Sequence, residues 1–258
     1  MPEITRHEPG AFSWPELATS DTAAAKAFYS GLFGWTHVDS ASGPDMIYTR
    51  LQKNGKDVGG LYTIRADQKG MPPNWGAYFT VVSADDGTKK AVEAGGKVLM
   101  GPFDVSDHGR MAVIQDPQGV FFSLWEPRGH IGAERIDEPG APCWAELETT
   151  DTDSAAKFYT GLLGWKTKVG GDYTEFYLGP KPIGGMMKIP KEWGPVPPHW
   201  LVYFMVADTD ASVETAKNLG ASVTVPPTNI EKVGRFAVLS DPQGANFAVF
   251  RPDPAFRA

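Results

Sequence analysis

Residues 14–35 read WPELATSDTAAAKAFYSGLFGW, and residues 144–165 read WAELETTDTDSAAKFYTGLLGW. Trp14, Glu16, Leu17, Asp21, Phe28, Tyr29, Gly31, Leu32, Gly34 and Trp35 all recur 130 positions later. Further along, the offset becomes 125. Pro72-Pro73, Trp75, Tyr78-Phe79 and Val81 return as Pro197-Pro198, Trp200, Tyr203-Phe204 and Val206. Gly109-Arg110, Ala112-Val113 and Asp116-Pro117-Gln118-Gly119 return as Gly234-Arg235, Ala237-Val238 and Asp241-Pro242-Gln243-Gly244. So many ordered matches mark an internal duplication, with five residues lost from a loop or hairpin of the second copy. The expected division is a first domain over 1–127, a polar, turn-rich linker over 128–140 and a second domain over 141–258.

Within each copy the pattern repeats again, this time without repeating the letters. Phe12–Thr19 alternates as a strand does. Asp21 is placed to cap a helix over Ala23–Leu32, which Gly34 stops. Strands follow near 35–40, 46–52 and 57–64, with Asn54-Gly55 as the hairpin turn between the last two. The next stretch runs through a strand at 75–82, a helix capped by Asp85 and ended by Gly95-Gly96, and strands near 97–104, 111–115 and 120–126. Each half is therefore βαβββ, and the fold class is α+β with four such units in two domains.

Composition narrows the function. Hydrophobic residues make up 41% of the 258 and charged residues 21%, as in an ordinary globular protein. The formal charge of −7, with no basic stripe, argues against nucleic acid as a partner. No apolar run approaches the length of a membrane span. The first residues have no secretory apolar core, and the single cysteine, Cys143, rules out an intrachain disulfide. A cytoplasmic protein that binds a small molecule is expected. It would be either a monomer with an internal pseudo-dimer or a homodimer.

Paired βαβββ units, the Gly-Leu-Leu-Gly-Trp helix exit and an Asp-Pro-x-Gly turn before the last strand resemble the vicinal-oxygen-chelate superfamily of glyoxalases, bleomycin-resistance proteins and dioxygenases. The Gly-Arg-x-Ala-Val-x-x-Asp-Pro-Gln-Gly run is similar to that of a tandem glyoxalase-like and hydroxylase-like branch that includes a mycobacterial antigen. The resemblance implies U-shaped mixed sheets around a cavity, with helices outside. It also implies a divalent metal held by His, Gln or Glu from the first, fifth and last strands. Here those positions carry Trp14, Gly76 and Ser123 in copy one, and Trp144, Leu201 and Ala248 in copy two. None is an ordinary metal ligand. No cofactor is therefore expected. A shift of two positions would bring in Glu16 and His199, which keeps a divalent metal as the less favoured alternative.

Strand alternation selects the remaining candidates. With Leu17 and Thr19 facing the helices, Trp14, Glu16 and Ala18 face the concave side, as do Trp144, Glu146 and Glu148. A tryptophan beside a glutamate offers a flat apolar wall with one polar anchor. Tyr78 and Tyr203 share the inward parity of the fifth strand and either donate to a ligand or pack in the core. Arg110 and Arg235 either pair with Glu16 and Glu146 or clamp a ligand carboxylate. Gly59-Gly60 and Gly184-Gly185 mark a close approach by a ligand or by neighbouring chain. His108 reads as a solvated loop residue. These candidates fit a protein that sequesters or detoxifies an oxygenated or aromatic metabolite or antibiotic without metal. The alternatives are a metal-independent lyase- or hydroxylase-like enzyme using the cavity Glu, Tyr and Arg, and a metal-dependent glyoxalase or dioxygenase.

Overall fold

The computed structural model describes residues 3–43, 46–65, 68, 70–254 and 256. Four βαβββ units follow one another, and each begins where the sequence repeats place it. The first comprises β1 (Phe12–Thr19), α1 (Thr22–Phe33), β2 (Thr36–Gly43), β3 (Met46–Lys53) and β4 (Lys56–Thr63). The second comprises β5 (Asn74–Thr80), α2 (Ala84–Glu93), β6 (Lys97–Val105), β7 (Gly109–Gln115) and β8 (Phe121–Pro127). The third comprises β9 (Pro142–Thr149), α3 (Thr152–Leu163), β10 (Lys166–Gly170), β11 (Tyr173–Leu178) and β12 (Lys181–Lys188). The fourth comprises β13 (His199–Met205), α4 (Thr209–Asn218), β14 (Ser222–Ile230), β15 (Gly234–Ser240) and β16 (Asn246–Pro252). Among the described residues no helix is long and apolar enough to cross a membrane.

Local chemistry sets the element boundaries. Asp21 accepts a hydrogen bond from the Ala24 amide at 3.0 Å, and Gly34 closes α1 in the left-handed region at φ 71°. Asp151 and Gly164 do the same for α3. Asn54 and Gly55, at φ 51° and 74°, turn β3 into β4 as the hairpin reading requires. One expected cap is corrected. Ser83, not Asp85, caps α2: its backbone is extended and its hydroxyl accepts from the Asp86 amide at 3.1 Å. Asp85 lies inside the first turn, where its carboxylate is free to pair elsewhere.

The strands form two eight-stranded mixed sheets of identical order, β2-β3-β4-β1-β5-β8-β7-β6 and β10-β11-β12-β9-β13-β16-β15-β14. In each, β1 or β9 runs parallel to one neighbour and antiparallel to the other, which joins the two units at the centre. The helices lie outside each curled sheet, with one face packed between the two domains and the other exposed. α1 packs on α4, and α2 on α3.

The two largest hydrophobic clusters are accordingly each built partly from one domain and partly from the other. Leu17, Phe28, Tyr29 and Trp75 pack with Phe204, Val213, Leu239 and Phe247. The pseudo-symmetric core joins Phe79, Ile114, Phe122 and Leu124 to Leu147, Phe158, Tyr159 and Trp200. Buried polar bonds cross the same boundary. The Tyr29 hydroxyl donates to Asp241 Oδ2 at 3.0 Å and accepts from Trp75 Nε1 at 2.8 Å. Tyr159 donates to Asp116 Oδ2 at 3.1 Å and accepts from Trp200 Nε1 at 3.2 Å. The other oxygen of each aspartate closes the Asp-Pro-Gln-Gly turn on two backbone amides. The repeated motif thus shapes a turn within its own domain and holds a tyrosine of the other.

Candidate functional site

On β1, Leu17 and Thr19 are fully buried toward the helices, so Trp14 and Glu16 project into the concave side. Glu16 sits between two glycines, Gly60 on β4 and Gly76 on β5, in the sheet register. That gap admits a side chain from the next strand. Tyr48 of β3 reaches over Gly60, where a Cβ atom would collide with its hydroxyl. The Tyr48 hydroxyl accepts from Trp14 Nε1 at 3.0 Å and donates to Glu16 Oε1 at 2.7 Å. Tyr78 of β5 donates to Glu16 Oε2 at 2.6 Å. Both carboxylate oxygens therefore bind phenols.

The second domain repeats the arrangement. Trp144 Nε1 donates to the Tyr173 hydroxyl at 3.0 Å, and Tyr203 donates to Glu146 Oε1 at 2.9 Å. Tyr173 is also hydrogen-bonded to Glu146, and it occupies the space left by Gly185. The second glycine of each pair makes room for the tyrosine. The first, Gly59 or Gly184, lets β4 or β12 approach the backbone carbonyl of Pro15 or Ala145.

Burial governs the charges. It lifts the Glu16 pKa, an effect only partly offset by the hydrogen bonds from Tyr78 and Tyr48. It pushes Glu146 up to about 7 against the same kind of offset. Burial and the adjacent carboxylate hold all four tyrosines well above their ordinary value, so they remain hydrogen-bond donors across the neutral range.

A pH prediction follows for Glu146. Its folded pKa exceeds the ordinary value of 4.5, so between 4.5 and about 7 the folded chain binds the extra proton. Stability from this group is therefore present at low pH and lost as pH rises through that window. In E146Q the fall in melting temperature from about pH 5 to pH 8 should be clearly shallower than in wild type. Parallel slopes in a thermal-shift series would show that Glu146 carries no such proton.

Each centre lies at the base of a cavity. The first measures about 590 Å³ and is rimmed by Arg50, Arg65, His108 and His130 besides apolar residues. The second measures about 470 Å³ and is walled by Phe236, Phe250 and Phe256. Both lie within the size range of small-molecule pockets.

Two expected ligand-binding residues are corrected. Arg110 and Arg235 line neither cavity and touch neither Glu16 nor Glu146. On β7, Met111 and Val113 face the first cavity, so Arg110, one residue before Met111, faces the helix side. There it forks onto Asp85 at 2.8 and 3.1 Å and reaches Asp104 at 2.9 Å. Arg235 forks onto Asp210 at 2.7 Å through both nitrogens and reaches Asn229 at 2.9 Å. Both arginines tie a helix N-terminus to a sheet edge.

Other residues at the site were not anticipated. Tyr48 and Tyr173 lie 125 positions apart, each followed by threonine, so the repeat marks them. The linker supplies His130, whose ring meets Trp14 edge-on at 4.7 Å and whose Nε2 lies 3.3 Å from Asp57. The linker segment lies along the first domain through Ala133 N to Ser13 O at 2.7 Å and Glu134 N to Asp57 O at 2.8 Å. His108, read from sequence as a solvated loop residue, stands on the cavity rim 6.3 Å from the His130 ring. In the second domain Glu148, expected on the concave side, is buried, with His199 Nε2 at 3.6 Å.

The donor set does not fit a divalent metal. The positions implied for ligands hold Trp14, Gly76 and Ser123, and Trp144, Leu201 and Ala248. Glu16 already accepts two phenol hydrogen bonds. Among the described residues, no three His, Cys, Asp or Glu side chains are grouped to hold an ion.

Fold and cavities define a tandem glyoxalase-like protein, and comparison with known proteins gives the family. Residues 11–124 match the Glyoxalase/Bleomycin resistance protein/Dioxygenase superfamily, and residues 144–250 match a glyoxalase-like domain. The chain belongs to this superfamily. It is 40% identical over 261 residues to CFP32 of Mycobacterium tuberculosis, covering 98% of this chain and 99% of that protein. It is 38% identical over 271 residues to the anthracycline biosynthesis protein DauV of Streptomyces sp. strain C5, covering 99% and 98%. Among solved structures, the Mn(II)-bound glyoxalase of Novosphingobium aromaticivorans superposes with a TM-score of 0.66. That match has 18% identity and covers 94% of this chain and 82% of the other. A catechol 2,3-dioxygenase superposes with a TM-score of 0.62 at 15% identity, covering 96% and 91%. These two likenesses concern the fold alone.

Proposed function

We propose that the protein binds oxygenated aromatic small molecules in its two cavities without a metal, and so sequesters or presents them. One observation carries this reading: each cavity centres on a carboxylate that accepts from two tyrosines, under a tryptophan, where a metal-binding relative would need ligands. Indole and phenol faces supply flat apolar area, and the Glu–Tyr hydrogen bonds can be exchanged for hydroxyl or carbonyl groups of a ligand. The 38% identity to a protein named for anthracycline biosynthesis supports a planar, oxygenated, fused-ring ligand.

A second reading rests on Glu146. A buried carboxyl raised to about 7 is suited to act as a general base near neutral pH, as an enzyme acting without metal would require.

Calorimetric titration with 1,8-dihydroxyanthraquinone in excess EDTA tests the main reading. Binding is expected at low micromolar affinity, on the order of −8 kcal/mol, and unchanged when Mn(II) or Fe(II) replaces the chelator. Binding that appears only with added metal would refute metal independence. Turnover of the dye would favour the enzymatic reading.

A further inference from the structure

The two cavities share a centre but differ in charge. The first carries Arg50, Arg65, His108 and His130 with Glu16 in its lining, and Asp57 behind the lining pairs with Arg50 at 2.8 Å and His130 at 3.3 Å. Among the described residues, the second has one basic side chain in its lining, Lys168, which is exposed at the rim and lies 3.7 Å from Glu175. Its floor carries Glu146, and behind the lining the next residue on the same face of β9 is a second buried carboxyl, Glu148, where β1 has Ala18. The basic group nearest Glu148 is His199, at 3.6 Å, where the first domain has Asn74. Burial lowers the His199 pKa and so disfavours its cationic form, against the pull of Glu146.

The walls of the second cavity are aromatic. Trp144 lies 6.4 Å from Phe256, which lies 6.0 Å from Phe250. Tyr203 lies 6.3 Å from Phe236 and 6.5 Å from Phe250. Tyr173 completes the floor beside Glu146. Aromatic faces around a buried carboxylate attract a desolvated cation twice over, through the ring quadrupoles and through the ion pair. A carboxylate with no cation beside it is costly to bury, and a bound ammonium relieves that cost.

We propose that the second cavity is a site for an organic cation, an aromatic molecule bearing a protonated amine, with the ammonium at Glu146, backed by Glu148, and the ring system against Trp144, Phe250 and Phe256. The proposal rests on the reading of the cavities as ligand sites and assigns one of them a ligand charge. It also gives the duplication a consequence: the domains keep one hydrogen-bonding centre and select ligands of different charge.

Calorimetry with two probes of similar shape, 2-naphthylmethylammonium and 2-naphthoate, tests it in the full chain with EDTA present. The ammonium should bind about tenfold or more tightly than the carboxylate at the second cavity. E146Q should weaken ammonium binding by about tenfold, and E148Q, one step behind the lining, by about threefold. Phe256→Leu, placed after β16 and outside both sheets, should weaken it roughly fivefold by removing one aromatic face. Ammonium affinity should rise with pH as Glu146 and Glu148, both raised to about 7, lose their protons, with Tyr173 and Tyr203 still protonated and the pKa of His199 lowered by burial. Equal affinity for both probes, or ammonium binding untouched by both Gln variants and by Phe256→Leu, would overturn the charge assignment and leave the ligand-binding reading standing. Failure of both probes to bind would overturn the two together.

Discussion

Asp241→Ala is expected to destabilise the whole chain by about 4 kcal/mol, a fall in melting temperature of roughly 10 °C. One carboxylate oxygen accepts from the Gln243 and Ala245 amides, both at 2.9 Å, and the other from the Tyr29 hydroxyl at 3.0 Å. Removing the carboxylate leaves those donors in a buried environment without partners. Because Tyr29 belongs to the other domain and sits in a shared core, the loss should appear as one cooperative transition and not as selective melting of the second domain. Tyr29→Phe breaks the same link from the other side and orphans Trp75 Nε1. The double mutant should therefore be less destabilised than the sum of the singles, with a coupling of about 1–3 kcal/mol. Two separate unfolding steps, or additive effects in the cycle, would show that the domains do not depend on each other in this way.

Gly60→Ala should disable the first cavity while leaving the fold in place. Its new methyl group would land on the Tyr48 hydroxyl, with Trp14 Nε1 only 3.1 Å away. The tyrosine must swing out, which breaks both its bond to Glu16 and its bond from Trp14. Overpacking of this kind costs roughly 1–3 kcal/mol of stability, which a chain of this size can absorb. Affinity for 1,8-dihydroxyanthraquinone at the first cavity should drop by about tenfold or more, while the second cavity keeps its own. Gly185→Ala should reverse the pattern, because Gly185 makes the same room for Tyr173. Unchanged binding in both variants would mean that the tyrosines are packing elements only.

Much of the fold is written in the sequence because duplication writes it twice. Offsets of 130 and 125 locate the units, and capping residues such as Asp21 with Gly34 delimit the helices. Period-two alternation was enough to send Trp14 and Glu16 to the concave face, since β1 is central and its other face, with Leu17, is fully buried. No phase was fixed for Arg110 in the sequence, so its partner was open there. Gly109-Arg110 begins a strand, and only the register of β7 against β8 shows that Met111 and Val113 take the inward positions. Tyr48 escaped for a related reason. It reaches Glu16 from two strands away, and that contact depends on β4 offering a glycine between them. The shared cores were not legible, because a buried residue looks the same in sequence whichever domain covers it. Nor was the role of His130, since a polar linker does not reveal which surface it lies along.

The central claim is that each domain holds its ligand through a Trp–Tyr–Glu–Tyr centre with no metal. Native mass spectrometry of EDTA-treated protein with 1,8-dihydroxyanthraquinone tests it most directly. The predicted spectrum shows metal-free chains carrying up to two dye molecules, reduced to one in Gly60→Ala and to one in Gly185→Ala. Dye bound only to chains that also carry a Mn, Fe or Zn ion, or two dyes retained in the double glycine variant, would contradict the account.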